Sequence, residues 1–293
     1  MIPREEPKAS RSWLSAGRAF RALLDETDER IARIPTRLNE YGVDPFGFDP
    51  GVSRYLTASM LWVYRHYLRV EARGVERVPA GKVLLIANHA GNTFAWDGAM
   101  LAMALFAEGE PPRMVRGMGE FFLPTVPFFN IFMQRSGSVV GTPENCVQLL
   151  ELGEAIMVFP EGERGFVKTW RQRYQLQRFG LGFMRLALET ATPIVPVGIV
   201  GAEEQSPGIA NLRWLGKAFG SPAFPITATF PWLGLAGFLP LPVKFHLHFG
   251  EPLHFEGDPG DDDAQIEKRV EVVKDSIRAL IAAGLAERRS WFS

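Results

Sequence analysis

Three short runs of apolar residues constrain this chain more than any other feature. Val83-Leu-Leu-Ile-Ala87, Ala155-Ile-Met-Val-Phe159 and Pro193-Ile-Val-Pro-Val-Gly-Ile-Val200 carry no polar alternation. A strand that is apolar at every position is covered on both faces, as in a parallel sheet layered with helices. Helix-like segments stand between the runs, at about 97–106, 143–152 and 181–190, and residues 243–249 alternate as a fourth strand. The order of elements therefore predicts an α/β fold, a mostly parallel sheet flanked by helices, with chemistry gathered at the carboxyl ends of the strands.

Ahead of this pattern the chain is helical. Trp13, Phe20, Leu23, Leu24 and Ile31 recur at helical spacing over residues 10–34. After a Gly- and Pro-rich linker at 41–50, Tyr55, Leu56, Met60, Leu61, Tyr64 and Leu68 mark a second helix. Two units follow: an N-terminal helical unit, 1–75, and an α/β domain, 76–293. At the other end, Ile266, Val270, Val273, Ile277, Leu280 and Ile281 form one apolar helical stripe behind Asp261, Asp262 and Asp263.

Composition excludes several classes. A net charge of -1 argues against a surface built throughout for nucleic acid. One cysteine, Cys146, rules out an intramolecular disulfide framework and fits a reducing compartment; in its helical stretch it reads as a packing residue. The first eight residues lack an apolar segment, so no signal peptide is expected there. The uncharged run 223–243 is long enough to cross a bilayer, but Pro225, Pro231, Pro240 and Pro242 break it into apolar loops.

Two segments carry the chemistry. Asn88-His89 follows the first strand, with Asp97 ahead of it; Phe159-Pro-Glu-Gly-Glu-Arg164 follows the second. An imidazole oriented by a carboxylate is a general base, and Arg164 at the Pro160-Glu161-Gly162 turn is placed to hold an anion. Residues 164–185 hold Arg164, Lys168, Arg171, Arg173, Arg178 and Arg185 without an acidic residue, interleaved with Trp170, Tyr174, Phe179 and Phe183. Such a stretch fits nucleic acid, a phosphorylated small molecule or an anionic membrane surface. Arg135 is a further anion-binding candidate. The remaining histidines read as structural. His246 and His248 share a strand face, but no acid or cysteine at ligand spacing supports a metal pair. Gly-x-Ser-x-Gly, Walker A, dinucleotide and His-Glu-x-x-His motifs are absent. Two Pro-broken aromatic segments, 121–133 and 230–241, suit core packing, an acyl-chain pocket or a shallow membrane contact.

Taken together, these blocks resemble the glycerolipid acyltransferases, the superfamily of glycerol-3-phosphate and lysophosphatidic acid acyltransferases. His89 with Asp97 looks like that family's His-x4-Asp motif, and Phe159-Pro-Glu-Gly-Glu-Arg164 like its Phe-Pro-Glu-Gly-Thr-Arg motif. Arg135 and Pro193-Ile-Val-Pro196 fall where the other two conserved blocks lie, so the resemblance spans about 70–255. It implies transfer of a fatty acyl group from acyl-CoA or acyl-carrier protein to a hydroxyl, with no further cofactor and no metal. His89 would deprotonate the acceptor and Asp97 would orient it. Arg164, Arg135 and Lys168 would hold an acceptor phosphate, while Glu161 and Gly162 shape the substrate-side turn. The N-terminal unit would dock the protein peripherally on the cytoplasmic face of a membrane, with a glycerolipid and not nucleic acid as partner. Two departures stand out: seven residues separate His89 from Asp97 instead of four, and Glu163 replaces Thr. The first requires a bulged loop, and both open the acceptor to neutral alcohols such as diacylglycerol. The altered spacing also leaves open a lipid-binding scaffold without turnover, and a thioesterase, with the same donor and water as acceptor, is a third reading.

Overall fold

The computed structural model describes residues 8–34, 38–91, 94–119, 135–218 and 224–292. Helices α1 (Lys8–Ala32) and α2 (Pro50–Trp62) open the chain, and a π-helical turn, Val63–Tyr67, extends α2. Strands β1 (Glu71–Arg73) and β2 (Val83–Ala87), helix α3 (Trp96–Glu108), and strands β3 (Val115–Gly119) and β4 (Val139–Val140) follow. Next come α4 (Pro143–Glu151), β5 (Ala155–Val158), α5 (Gly182–Thr190) and β6 (Ile194–Val200). The chain closes with β7 (Gly208–Asn211), β8 (Pro225–Thr227), β9 (His246–Phe249) and α6 (Asp263–Glu287).

Seven strands form one sheet in the order β1-β9-β6-β2-β5-β3-β4. Every neighbouring pair is parallel except β6 with β9. Strand β2 lies at the centre, with Val83 opposite Ala155 and Leu84 opposite Ile194. Its side chains alternate between two cores. Val83, Leu85 and Ala87 pack with α3 and the N-terminal helices; Leu84 and Ile86 pack with α4, α5 and α6. This two-sided burial is why β2, β5 and β6 are apolar at consecutive positions. Each fully buried Leu or Ile in these layers contributes about 1.5–3 kcal/mol.

The stripe on α6 is buried as its spacing predicts at Ile266, Val270, Val273, Ile277 and Ile281, with Leu280 half-buried. Asp262 caps the helix by accepting the Gln265 N–H at 2.8 Å. At Gly198 on β6 an added Cβ would fall 2.7 Å from that of Leu280, so glycine there lets the helix lie directly on the sheet.

Four sequence expectations are revised. The sheet begins at β1, inside the segment read as purely helical, and Leu61, Tyr64 and Leu68 belong to the sheet's own core. Residues 41–50 are anchored rather than a free linker: Asp44 is buried, accepts the N–H groups of Phe46 and Phe48, and bonds the buried Arg116 of β3. Strand β9 is buried at all four positions instead of alternating with solvent. The run 223–243 contributes β8, paired with β7, and a short 3-10 helix, Gly234–Phe238. Among the described residues no helix is long and apolar enough to cross a membrane. Cys146 is buried with its Sγ 3.4 Å from the Met118 sulfur, and burial pushes its thiol up to about 11. The phenylalanine-rich segment 121–133 lies outside the described residues.

Candidate active site

The carboxyl ends of β2 and β5 build the site. Beyond β2 the buried Asn88 uses its amide twice against β6: Nδ2 donates to the Ile199 carbonyl at 3.0 Å, and Oδ1 accepts the Ile199 N–H at 2.8 Å. The side chain thereby continues the β-ladder one residue past the strand and fixes the backbone that presents His89. Asp97, in the first turn of α3, is fully buried. Its Oδ2 lies 2.6 Å from His89 Nδ1 and accepts the Ala90 N–H at 2.7 Å; its Oδ1 accepts the Gly98 N–H at 2.8 Å. The longer spacing therefore still delivers the carboxylate to the ring and to the Ala90 N–H. In the tautomer that gives its Nδ1–H to Asp97, Nε2 is the nitrogen free to take a proton.

Phe159 stacks on the His89 ring at 4.4 Å between centroids, and Phe166 lies tilted at 5.3 Å. The imidazole side chain keeps 12% of its exposure, enough for an acceptor to reach it. Behind the ring, Glu161 braces the backbone. Its Oε1 accepts the His89 N–H at 2.9 Å and its Oε2 accepts the Gln177 N–H at 2.7 Å. The turn after β5 passes through Gly162 at φ 54°, ψ -142°, a conformation essentially restricted to glycine. Three residues on, a Cβ on Gly165 would fall 2.7 Å from that of Glu161 and 2.9 Å from that of His89. Gly165 thus lets the helical turn Glu163–Phe166 press against the loop that carries His89.

The expected cations separate. Lys168 is buried, with Nζ 2.9 Å from Glu203 Oε1 and 3.5 Å from Glu161 Oε2. Arg135 pairs with Asp49, the N-cap of α2, at 2.6 Å. Arg164 is exposed and makes no hydrogen bond or ion pair with the described residues; Glu163 beside it is exposed as well. The structure thus brings His89, Asp97, Glu161, Gly162 and Lys168 together, sets Arg164 on the adjoining turn, and engages Arg135 elsewhere. The basic-aromatic stretch divides too. Arg185 binds Asp263 at 2.7 Å, and Phe179 and Phe183 are core, whereas Arg171 and Arg178 are exposed and Arg173 lies over Trp170 at 4.5 Å.

Sequence reasoning missed the two acids after β6. Glu203 binds Lys168 and accepts the Tyr174 N–H at 2.7 Å; Glu204 binds the Tyr174 hydroxyl and Arg288 at 2.8 Å. The signal was present in Gly201-Ala-Glu-Glu204: two consecutive acids directly behind an entirely apolar strand. His246 and His248 are buried, with Glu71 at 3.5 Å and Glu287 at 3.7 Å, and burial holds both imidazoles below their ordinary value. The described residues contain no group of three potential metal donors.

A profile of the acyltransferase family matches residues 69–200, a span that runs from the start of the sheet to the end of β6 and includes His89, Asp97 and Glu161. An uncharacterised protein of Mycobacterium leprae (strain TN) is 35% identical over 92% of this chain and 77% of its own length. The chain belongs to the acyltransferase family. A mouse protein described as a DGAT1/2-independent enzyme synthesizing storage lipids is 24% identical over 77% of this chain, which spans 64% of that protein. The crystal structure of the 1-acyl-sn-glycerophosphate (LPA) acyltransferase PlsC of Thermotoga maritima shares the fold, with TM-score 0.52, 16% identity, and 82% and 83% of the two chains covered. The profile falls on the same stretch as the ordered motifs, and what it shows of them is an acyltransferase.

Proposed function

We propose that this acyltransferase transfers a fatty acyl group from an acyl thioester, acyl-CoA or acyl-carrier protein, to the hydroxyl of a glycerolipid, with His89 as general base. The observation that carries this reading is the 2.6 Å contact between His89 Nδ1 and the buried Asp97 carboxylate. The acceptor hydroxyl gives its proton to Nε2 as its oxygen attacks the thioester carbonyl. The tetrahedral intermediate collapses, the C–S bond breaks, and the imidazolium returns the proton to the departing thiolate. Asp97 stabilises the imidazolium throughout, and general-base catalysis by a well-placed imidazole contributes about 10²–10⁴ to the rate. A covalent acyl-enzyme is not required: no serine or cysteine bonds His89 among the described residues.

For the acceptor, a lysophospholipid is the first reading, with its phosphate against Arg164. A neutral glycerolipid such as diacylglycerol is the second, and a specific observation favours it: Lys168 and Arg135 are already paired with carboxylates. The name printed for the mouse relative points the same way. The reaction takes place, in this reading, with the protein peripheral on the cytoplasmic face of a membrane. Support comes from the apolar surface of the β7–β8 region, where Trp214 and Trp232 are each 70% exposed and Ile209, Leu233 and Leu239 also face solvent. Indole rings and leucines exposed in this way suit the headgroup boundary.

The test offers wild type acyl-CoA or acyl-carrier protein with lysophospholipid, diacylglycerol and a long-chain alcohol in parallel. Mass spectrometry then identifies any new ester. An ester on a glycerolipid supports the reading. Thioester loss without an ester would make the protein a thioesterase, and no reaction with either donor would favour a lipid-binding scaffold.

A further inference from the structure

We propose that Glu203 is a positioning residue for His89, acting through Lys168 and Glu161 to hold uncompensated negative charge behind the imidazole. The inference rests on His89 being the base. It starts from a charge imbalance. Asp97, Glu161 and Glu203 are at most 5% exposed, and Lys168 is the cation bonded to the latter two. Glu161 and Glu203 thus share one ammonium, and the third buried carboxylate, Asp97, bonds the ring that must accept a proton.

The connection is continuous. Glu203 Oε1 holds Lys168 Nζ at 2.9 Å, Nζ reaches Glu161 Oε2 at 3.5 Å, and Glu161 Oε1 receives the His89 N–H at 2.9 Å. Glu203 Oε2 is held by the Tyr174 N–H, so the carboxylate cannot swing away. The adjacent Glu204 makes the contrast. It turns to Arg288 at the end of α6 and to the Tyr174 hydroxyl, so a guanidinium of its own compensates it. Two neighbouring acids therefore do different work: one closes the C-terminal helix onto the loop, and the other biases the base.

Burial pushes Glu203 up to about 7, with Lys168 and the Tyr174 N–H opposing that rise and Glu161 adding to it. As the pH climbs through neutrality Glu203 ionises, and the added negative charge raises the basicity of His89. Removing the charge should therefore move the His89 titration to lower pH; removing the Lys168 charge should move it up.

The experiment titrates the His89 ring by NMR in histidine-labelled protein, with His89→Ala supplying the assignment. In the wild type, the His89 signal is expected to show a second inflection near neutral pH as Glu203 ionises. In Glu203→Gln the inflection should vanish, and the imidazole should titrate at lower pH than in the wild type. Glu203→Asp should restore part of the shift, and Glu204→Gln should leave the titration where it was. The acid limb of kcat/KM should follow the same order. A single-step wild-type curve would overturn the proposal, and so would identical His89 titrations in wild type and Glu203→Gln, or equal shifts in the Glu203 and Glu204 variants. Because the ring signal is read without substrate, an inactive wild type would sink the acyl-transfer reading and still leave this coupling decided.

Discussion

Replacing Asp97 by asparagine tests the geometry around His89 most sharply, because size is retained while charge and proton pattern change. The carboxylate now accepts from three donors, His89 Nδ1–H, the Ala90 N–H and the Gly98 N–H, and it is fully buried. With the asparagine oxygen kept on the Gly98 N–H, its NH2 replaces Oδ2 and faces both the imidazole and the Ala90 N–H. The ring must accept on Nδ1 and carry its proton on Nε2, which removes the base. Loss of a charge-assisted bond to the imidazolium costs about 1.5–3 kcal/mol, or about 10–150-fold in rate. The wrong tautomer adds to this, and a base held by its carboxylate loses about 10⁴ in kcat when asparagine replaces it. The expectation is a fall in kcat of about 10³–10⁴ with KM nearly unchanged. Folding stability should drop by about 1–3 kcal/mol, since one buried donor is left poorly paired. Ester formation followed by mass spectrometry measures the first, and urea unfolding the second. Activity within tenfold of wild type would refute the assignment of Asp97 as the group that orients His89.

Other expectations follow from the same geometry. Gly162→Ala forces a side chain onto φ 54°, ψ -142°; the strain of about 1–3 kcal/mol should lower Tm by several degrees in a thermal melt. An unchanged Tm would mean that the turn relaxes freely. Arg164→Ala should raise KM for a phosphorylated acceptor about tenfold or more and leave a neutral acceptor unaffected; equal effects on both would remove the phosphate role. Burial lowers the imidazoles of His246 and His248 from 6.5, so the unfolded chain binds more protons. The stability they contribute is present above about pH 6.5 and is lost as the pH falls through their folded values. Urea unfolding should therefore give a lower free energy at about pH 5.5 than at about pH 7.5, and the slope should flatten in the His246→Gln/His248→Gln double variant. A slope unaffected by the double substitution would count against it.

How much of this was legible in the sequence depends on where the determinants lie. Strands β2, β5 and β6 were readable because central parallel strands advertise burial at every position. Strand β3 was not: Val-Arg-Gly-Met-Gly looks like a loop, and its burial depends on Arg116 meeting Asp44 and Glu154 from distant parts of the chain. Strands β1 and β4 are too short to carry a period. At the site, His89 and Asp97 stand close in the chain and announce a pair. Lys168 read as a free cation because Glu203, which holds it, comes 35 positions later and meets it only through the fold. Arg135 misled for the same reason, since its partner Asp49 belongs to the start of α2. The aromatic segment 230–241 also divides in a way composition hides: Phe230 packs against Phe224 and Phe238, whereas Trp232 and Leu239 face outward.

The most direct measurement compares wild type with His89→Ala, using a labelled acyl thioester and the acceptor that wild type esterifies. Circular dichroism confirms first that the variant is folded. The account predicts an ester from wild type and a loss of about 10²–10⁴ in its rate of formation from the variant, with donor binding retained. Ester formation at the wild-type rate by folded His89→Ala would contradict it.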